Sequence, residues 1–378
     1  MMKHEFNLMR RILKERSGIE LDEDKMDIVE AKLRPLLKEF AFPSVAHLTL
    51  GLVKPDNERL RSRLAQSIAV LESYFFRDKA PFEYFAETML PRLMERRAAS
   101  RRIRIWCAAT STGQEPYSLA MLVADAGPRL AGWNVEIVAT DFSEDALRKA
   151  RLGLYSQFDV QRGLPVSKLV KYFQKAGNGW QVKQALRDRV VFREHNLLNE
   201  SQDLGTFDII FCRNVLIYFD EQLKRAVLGR LSRQLAADGY LVLGSAETTT
   251  GASPDFMPVP EGRHGIFCLT PEAIAARRQV KESRDVALKT GTGPGAAARL
   301  SGLEGLRAIG SPLERWPVTA PVKDPKVRGV ELDRTTIEML EARARARGLT
   351  LAELLTEFAA AGTLVTEDWA GIIKARTD

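Results

Sequence analysis

Between residues 101 and 245, short apolar segments alternate with segments of helical character, and this alternation most limits the folds open to the chain. The apolar segments have the length of strands and are Arg102–Thr110, Val135–Asp141, Arg189–Arg193, Phe207–Cys212 and Tyr240–Ser245. Strands and helices that alternate in this way form a parallel sheet with helices on both faces. The sequence therefore predicts an α/β domain, whose sheet a last hairpin over Asp255–Leu269 would complete.

The helices between these strands have recognisable first residues. Pro116 suits the first turn of a helix that runs to about Ala126, and Ser143 is a good N-cap for the next helix. Asp220 is expected to cap a further helix that ends at Gly239.

Two regions depart from this alternation. Residues 1–90 carry apolar residues at three- and four-residue spacing around Glu5–Ser17, Asp24–Phe40 and Glu58–Tyr74, which predicts an all-α N-terminal domain. The α/β domain then covers residues 91–270. Between about residues 157 and 186 the alternation stops, and Gly177-Asn178-Gly179 is typical of a hairpin turn. We expect a small inserted β-subdomain there.

The C-terminal region has a different composition. Residues 271–326 are predicted to be a disordered linker, because Gly, Ala, Pro and charged residues dominate from residue 277 onward. Residues 327–378 are predicted to form a C-terminal helical module, in which a short alternating stretch, VRGVELD, precedes a helix over Arg334–Arg347 and a second helix capped by Thr350. This order resembles a ribbon-helix-helix module, which would dimerise through its strand. A plain helical hairpin fits equally well.

Composition excludes several classes of protein. With 45% hydrophobic and 28% charged residues the chain is typical of globular proteins, and its apolar runs are too short to span a bilayer. Residues 1–16 mix charges throughout, unlike a secretory signal, so we expect a cytoplasmic protein without membrane insertion. The three cysteines, Cys107, Cys212 and Cys268, lack metal-ligand spacing. We therefore expect buried, reduced thiols and no metal site.

The loop after the first strand of the α/β domain has the composition of a ligand-binding loop. It reads Ala-Thr-Ser-Thr-Gly-Gln-Glu-Pro over residues 109–116, so small side chains, with Gly113 among them, would let a ligand approach the backbone. The glycines and the lysine of a phosphate-binding loop are missing. A single glycine and the carboxylate of Glu115 instead suit a ligand that ends in an amino acid.

Two further strands end in polar residues, and ligands of doubly wound sheets bind at such ends. Asp141 could accept hydrogen bonds from both hydroxyls of a ribose, or it could merely precede the N-cap Ser143. Arg213 and Asn214 follow a buried strand, where polar groups need partners that a ligand can supply. The segment His195-Asn196-Leu197 could contact an adenine edge, although His195 by itself favours a structural role. Together these ends predict a nucleoside site.

Five stretches resemble the chemotaxis receptor methyltransferase family (CheR-type). They are SYFFRDKAPFE (73–83), IWCAATSTGQEPYSLAM (105–121), VATDFSEDALRKARLGLYS (138–156), VVFREHNLL (190–198) with FDIIFCRNVLIYFD (207–220), and GYLVLGSAE (239–247). The likeness covers roughly residues 5–270. It implies an all-α N-terminal domain, a Rossmann-like methyltransferase domain and a small β-subdomain inserted in it. The reaction that it implies is transfer of a methyl group from S-adenosylmethionine to receptor glutamates, which leaves S-adenosylhomocysteine.

Residues that match the family's motifs are implied to bind the cofactor. They are Ser73, Arg77, Glu115, Asp141, Asn196, Leu197, Arg213 and Asn214, to which the small-residue loop adds Gly113. Arg77 and Tyr218 are the candidates for catalysis: Tyr218 matches a family tyrosine near the transferring methyl group, and Arg77 could act toward either the substrate carboxylate or the cofactor. This chain has Gln114 where the family usually has glutamate, and Leu71 where members often have asparagine.

The resemblance also implies the partner. Family members dock basic N-terminal helices on acidic receptor helices, and Lys25, Lys32, Arg34 and Lys38 could form such a face here, with acidic residues interleaved. Members that grip a C-terminal receptor pentapeptide have a longer glycine-containing loop in the inserted subdomain. This chain has only the short turn at 176–180, so we expect docking that does not depend on the pentapeptide.

Two other functions fit parts of the sequence. The arginine cluster Arg92–Arg104, a net charge of +7 and a pI near 9.3 are compatible with an RNA methyltransferase, or one with another protein substrate. An RNA-binding surface would interleave aromatic residues that stack on bases, and the cluster contains none, so we expect no nucleic-acid partner. Alternatively, the α/β domain could be a cofactor-binding scaffold whose C-terminal module interacts with other proteins.

Overall fold

The computed structural model describes residues 1–69, 72–260 and 264–279. The predicted C-terminal module, its dimerisation and most of the linker lie outside the described residues, as does Leu71. Residues 271–279 are helical, so the linker predicted to start at 271 begins with a helical stretch that packs Ala273 and Ile274 against the α/β core. None of the described helices is long and apolar enough to cross a membrane.

The N-terminal region is helical, as predicted. Its helices are α1 (Lys3–Ser17), α2 (Met26–Glu39), α3 (Val45–Val53) and α4 (Glu58–Ile68). Their apolar stripes meet in one core, which includes Phe6, Met9, Leu13, Leu33, Leu48 and Leu64. Helix α3 was not predicted, since it is short and apolar without a clear helical period. The predicted third helix was too long: it ends at Ile68, because Ala69 has an extended conformation.

A second helical stretch leads into the α/β domain. It comprises α5 (Ala80–Tyr84), a π-helical turn over Phe85–Met89 and α6 (Leu90–Arg96). The segment that precedes it, residues 72–79, has left-handed backbone at Phe76, Asp78 and Lys79. This irregular segment brings Ser73 and Arg77 to the same edge of the sheet as the ligand-binding loops.

The described strands run in chain order from β1 to β10. They are β1 (Arg102–Ala108), β2 (Asn134–Asp141), β3 (Leu154–Tyr155), β4 (Phe173–Ala176), β5 (Gly179–Val182), β6 (Val190–Glu194), β7 (Phe207–Cys212), β8 (Leu235–Leu243), β9 (Phe256–Pro258) and β10 (Ile266–Leu269). The large sheet has the order β6-β2-β1-β7-β8-β10-β9, in which neighbours from β6 to β8 are parallel and β10 is antiparallel to both of its neighbours. The predicted α/β class and terminal hairpin are confirmed.

Helices cover both faces of this sheet. α7 (Gln114–Asp125) and α8 (Glu144–Leu152) pack on β2 and β6, and α12 (Glu221–Gln234) packs in the core of the other face. The short helices α9 (Gln157–Gln161) and α10 (Val166–Tyr172) pack on the inserted strands, and α11 (Gln184–Arg187) packs on α7. The predicted caps are confirmed, because Ser143 accepts a hydrogen bond from Ala146 N and Asp220 accepts one from Leu223 N. One core lies on each face, with Ile105 and Phe211 on one side and Trp106 and Ile210 on the other.

The prediction that the last long helix reaches Gly239 was wrong. Helix α12 ends at Gln234, and β8 begins at Leu235, which pairs with Phe207. The register between β7 and β8 then shifts before Ile209 pairs with Tyr240. A Cβ atom on Gly239 would lie 2.7 Å from the Asp208 carbonyl oxygen, so only glycine permits this irregular pairing.

The inserted β-subdomain is confirmed as a three-stranded sheet in the order β3-β5-β4. Gly177 and Asn178 form the predicted hairpin turn, since Ala176 pairs with Gly179. The predicted start of the insert, residue 157, was too late, because Tyr155 on β3 already belongs to the inserted sheet. A strand of only two residues leaves little pattern in the sequence, so β3 was not predicted.

Arginines of the cluster Arg92–Arg104, which spans the end of α6 and the start of β1, pair with acidic residues. Arg97 donates to Asp208 Oδ1 (2.8 Å) and to Asp238, and Arg104 Nε donates to Glu136 Oε2 (2.8 Å). Arg102 pairs with the same glutamate. The cluster lies at the amino ends of the strands, away from the ligand-binding edge, and ties these strands to α6.

Candidate functional site

The predicted site residues meet in one cleft at the carboxyl ends of the parallel strands. Its lining includes Ser73, Arg77, Glu115, Asp141, Asn196, Leu197, Arg213, Asn214 and Tyr218. These residues come from the segment before α5, from α7 and from the loops that follow β2, β6 and β7. The parallel topology explains their convergence, since it brings the carboxyl ends of β1, β2, β6 and β7 to one edge.

Gly113 is not among the lining residues. It has φ +94°, and a Cβ atom there would lie 2.8 Å from Ala150 Cβ on α8. Gly113 therefore lets the loop pack closely on α8 and turn into α7, while Ala109, Thr110 and Ser111 face the cleft. Direct contact between Gly113 and a ligand stays a prediction.

Asp141 organises the loop that surrounds it. Its Oδ1 accepts a hydrogen bond from Ser143 N (2.9 Å) and its Oδ2 accepts one from Ser111 N (2.8 Å). Burial raises the pKa of this carboxyl, and the backbone donors oppose that shift. Each carboxylate oxygen can accept more than one hydrogen bond, so the group can still bind ligand hydroxyls. The structural and ligand-binding interpretations of Asp141 are thus compatible.

Glu115 and Arg213 form a buried ion pair in the cleft. Arg213 Nη1 donates to Glu115 Oε2 (3.0 Å), while its Nη2 donates to the Arg77 carbonyl oxygen (2.9 Å) and to Asp78 Oδ2 (2.8 Å). Burial raises the pKa of Glu115, and the charge of Arg213 counteracts this. Arg213 thereby joins the segment before α5 to α7, and the pair brings a carboxylate and a guanidinium to the same wall.

Glu247 is a functional candidate that the sequence analysis missed. Its buried carboxylate accepts hydrogen bonds from the backbone N–H groups of Asn214 (2.7 Å), Leu216 (2.7 Å) and Gly244 (2.7 Å), and also from those of Val215 and Ile217. The turn that it holds carries Asn214 with φ +57°. Glu247 lies four residues after the end of β8 and its partners are backbone groups, so the sequence carried no signal for this role.

Tyr218 and Arg77 also line the cleft, and both side chains are partly exposed. Tyr218 ends the 3₁₀ turn Leu216–Tyr218, and burial raises its pKa. The Arg77 guanidinium donates a long hydrogen bond of 3.4 Å to the Glu72 carbonyl oxygen and lies 5.4 Å from the centre of the Tyr74 ring. Their roles in catalysis stay predictions.

The N-terminal domain forms one wall of the cleft. Ser17 and Ile19, at and just after the end of α1, are lining residues. Asn196 Nδ2 donates to the Arg16 carbonyl oxygen (2.6 Å), and Glu20 N donates to the Tyr218 carbonyl oxygen (3.1 Å). The Asn196 side chain therefore joins the two domains, which was not foreseen from its predicted cofactor contact.

Four buried polar atoms of the cleft have no hydrogen-bond partner within the described part of the protein. They are Thr110 Oγ1, His195 Nε2, Arg213 Nε and Asn214 Oδ1. Buried polar groups are nearly always paired, so these atoms are fitted to a polar ligand. With the carboxylates of Glu115 and Asp141, they suit a nucleoside that bears a charged amino acid. Burial also lowers the pKa of His195, which favours its neutral form as a ligand contact.

Other reactive groups of the described chain are not arranged for catalysis. Burial raises the pKa of the thiols of Cys107 and Cys212 well above the usual value, so neither is an activated nucleophile. Among residues 1–69, 72–260 and 264–279, no group of three His, Cys, Asp or Glu side chains could hold a metal ion.

Comparisons with known proteins agree on one family. The model of "CheR methyltransferase, SAM binding domain" matches residues 71–264. A chemotaxis protein methyltransferase of Vibrio parahaemolyticus is 38% identical over 255 residues, which are 67% of this chain and 92% of the relative. Chemotaxis protein methyltransferase 1 of Pseudomonas aeruginosa is 38% identical over 269 residues, or 70% and 96% of the two chains. A chemotaxis protein methyltransferase of Borreliella burgdorferi is 34% identical over 254 residues, or 66% and 89%.

Proposed function

The chain belongs to the CheR methyltransferase family and is an S-adenosylmethionine-dependent methyltransferase, and from this premise we propose that it esterifies glutamate side chains of chemoreceptors. The reaction would form glutamyl methyl esters as part of chemotactic adaptation, on the cytoplasmic side of the receptors. One observation carries the proposal: the cleft is lined by the carboxylates of Glu115 and Asp141 and by unpaired polar atoms, and also by the partly exposed Arg77 and Tyr218. The carboxylates suit a cationic nucleoside, and the guanidinium and phenol, which we take as the mouth of the cleft, suit an anionic substrate.

The inner residues would hold the cofactor. Glu115 is placed to pair with an α-amino group, and Arg213 with an α-carboxylate, because the two lie side by side with opposite charges. Asp141 would bind the ribose hydroxyls, and the loop that contains Asn196 and Leu197 would contact the base. Ser73 and Asn214 also line the cleft and would supply further polar contacts to the cofactor. S-adenosylmethionine brings the methyl group on a sulfonium, which is already an activated electrophile.

The substrate side needs orientation rather than a base. A glutamate carboxylate has an ordinary pKa of about 4.3 and is ionised at neutral pH. Arg77 and Tyr218 are proposed to hold it in line with the methyl group, by a charge-assisted and a hydroxyl hydrogen bond respectively. Holding two reactants in the reactive geometry can lower the activation free energy by roughly 7–11 kcal/mol.

The receptor would dock on α2 of the N-terminal domain. Arg34 and Lys38 are exposed on this helix. Lys32 is not available, because its Nζ donates to the carbonyl oxygens of Ile68 (2.8 Å) and Ala69 at the end of α4. The basic face is therefore smaller than the sequence suggested. The two-residue turn at Gly177–Asn178 leaves the inserted subdomain without a long loop, which supports docking that is independent of a receptor pentapeptide.

Methyl transfer from labelled S-adenosylmethionine to a chemoreceptor cytoplasmic fragment tests the proposal. We expect incorporation that alkali releases as methanol, since esters are base-labile, and no incorporation into RNA. Glu115→Gln should weaken cofactor binding at least about tenfold in calorimetry, because it removes the charge that faces the ligand's ammonium group. Base-stable product, or labelled RNA with an unlabelled receptor, would refute the assignment.

A further inference from the structure

A cluster of charged and aromatic side chains lies at the mouth of the cleft and includes a residue of the inserted subdomain. Arg162, between α9 and α10, lies with its guanidinium carbon 4.3 Å from the centre of the Tyr74 ring. The guanidinium carbon of Arg77 lies 5.4 Å from the same ring centre. The separation of the two guanidinium groups therefore cannot exceed the sum of these distances. Tyr74 and Arg77 both line the cleft.

The position of Arg162 is fixed by the backbone. Gly163, with φ +80°, lies so close to the Phe75 carbonyl oxygen that a Cβ atom would overlap it. Leu164 is buried in the core of the α/β domain. The loop of the insert is thus packed against residues 73–76 on both sides of Gly163, and it holds Arg162 at the mouth independently of any ion pair.

The present partner of Arg162 is exchangeable. Arg162 Nη2 donates to Glu72 Oε1 (2.6 Å), and the two side chains are 43% and 54% exposed. Exposed ion pairs contribute little to stability, because water competes for both charges. Glu72 is itself a lining residue of the cleft, and its carboxylate is of the same kind as that of the proposed substrate. A substrate carboxylate can therefore replace it at no large cost.

We propose that Arg162 is a substrate-binding residue, which holds a second carboxylate of the acidic protein segment whose glutamate is held by Arg77. This inference rests on the proposed function. Acidic residues three or four apart on a helix have Cβ atoms about 5–6 Å apart, which is compatible with the two guanidinium groups around Tyr74. Glu72 occupies Arg162 until the substrate displaces it. The enzyme thus selects acidic segments with two neighbouring carboxylates.

The test is steady-state methylation of a chemoreceptor cytoplasmic fragment by the full chain. Arg162→Ala is expected to raise KM about five- to tenfold with kcat and the cofactor Kd unchanged, since it removes binding away from the reacting atoms. Arg162→Lys should recover part of the loss, and Glu72→Gln should lower KM about twofold by removing the competing carboxylate. Arg189→Ala, which deletes an exposed arginine before β6, is the matched control and should leave KM unchanged.

A substrate variant completes the test. In a receptor fragment whose acidic residues within one helical turn of the accepting glutamate are changed to glutamine, Arg162→Ala should no longer raise KM. The inference is overturned if Arg162→Ala has the KM of Arg189→Ala, or if its penalty persists on the neutralised fragment. Activity of the wild-type enzyme on the receptor separates the two proposals: without it both fall, and with it only the role of Arg162 is at stake.

Discussion

At the scale of single residues, the site depends on the buried carboxylate of Glu247. Glu247 accepts hydrogen bonds from backbone N–H groups of the turn that follows β7 and from Gly244 N after β8, and in doing so fixes the left-handed conformation of Asn214. Such a conformation costs free energy in a residue other than glycine and persists only where its surroundings impose it. Glu247 therefore acts on the cleft through Asn214 and the turn to Tyr218.

Glu247→Gln should separate this role from simple burial. The amide would direct an NH₂ group toward backbone donors, so we expect a loss of roughly 3 kcal/mol in the free energy of unfolding. Cofactor affinity should fall as well, because Asn214 is released. Urea unfolding and calorimetry measure the two effects. The control Glu83→Gln, at an exposed position, should change neither. A variant with wild-type stability and affinity would contradict the role assigned to Glu247.

At the scale of secondary-structure elements, the inserted sheet is tied to the cofactor loop. Tyr155 on β3 donates its hydroxyl to the Thr112 carbonyl oxygen (2.7 Å). Its ring lies edge-on to Phe75, with centres 5.0 Å apart, and Phe75 belongs to the segment that carries Ser73 and Arg77. One side chain of the insert thus supports two walls of the cleft.

Tyr155→Phe should weaken cofactor binding without unfolding the protein. Loss of one buried hydrogen bond costs about 0.5–1.5 kcal/mol of stability, and the freed loop should lower cofactor affinity a few-fold. Tyr117→Phe is the matched control, because the Tyr117 hydroxyl is buried and donates to the Ala150 carbonyl oxygen outside this loop. It should lose similar stability and retain affinity. Equal cofactor affinity in both variants would show that the hydroxyl of Tyr155 does not support the loop.

A second contact fastens the insert to α7. Burial alone would raise the pKa of Asp125, but hydrogen bonds from Lys168, Lys171 and Tyr172 lower it to about 2. A carboxyl whose pKa is lower in the folded than in the unfolded protein stabilises the fold above the unfolded pKa. That contribution is lost as the pH falls through the folded value.

Asp125→Asn should therefore destabilise the protein by about 1 kcal/mol at pH 7, after allowance for solvent screening. The difference from wild type should shrink between about pH 4 and pH 2 and vanish below it, since both side chains are then neutral. Urea unfolding at a series of pH values measures this, with the exposed Asp56→Asn as a control that shows no difference. A difference that does not change with pH would indicate that charge plays no part in the contact.

Helices and strands with a clear hydrophobic pattern were predicted well, whereas elements that lack such a pattern were missed or misplaced. The central parallel strands are largely buried and have nearly continuous apolar sequences, so β1, β2 and β7 were predicted nearly to the residue. The end of α12 was misplaced because residues 235–239 continue its composition while pairing with β7. Most cleft residues could be predicted because they follow strands. Glu247 could not, since its partners are backbone groups some thirty residues earlier.

At the scale of the whole molecule, the described part of the N-terminal domain is an integral wall of the site. Gly18, with φ +73°, ends α1, and a Cβ atom there would lie 2.9 Å from Phe219 Cε1 and overlap Leu223 of α12. Lys14 pairs with Asp220 (2.8 Å), and Arg63 pairs with Asp145. The end of α1 is therefore packed on the turn that carries Tyr218, and Ser17 and Ile19 lie against the cleft.

Gly18→Ala should displace α1 from this position. Strain at a left-handed position and the overlap with α12 are expected to cost more than about 1 kcal/mol of stability, and cofactor affinity should fall with the displaced wall. Gly177→Ala provides the control, because Gly177 has φ +55° but a Cβ atom added to it would meet nothing within 4 Å in the described part of the chain. It should show the strain alone, with affinity retained. Thermal unfolding and calorimetry distinguish the two variants, and equal affinity in both would contradict the packing of α1 on the cleft.

The hydrogen bond from Glu20 N to the Tyr218 carbonyl oxygen would couple receptor binding to the position of Tyr218. Tyr218, which is proposed to align the nucleophile, is thereby hydrogen-bonded to the connection between α1 and α2 of the docking domain. A receptor that bends or presses on α1 and α2 as it binds would thus adjust Tyr218 in the same event. Binding of the correct receptor would then also place Tyr218 for methyl transfer. A short glutamate-containing peptide cannot press on α1 and α2, so its kcat would be low even at saturating concentration.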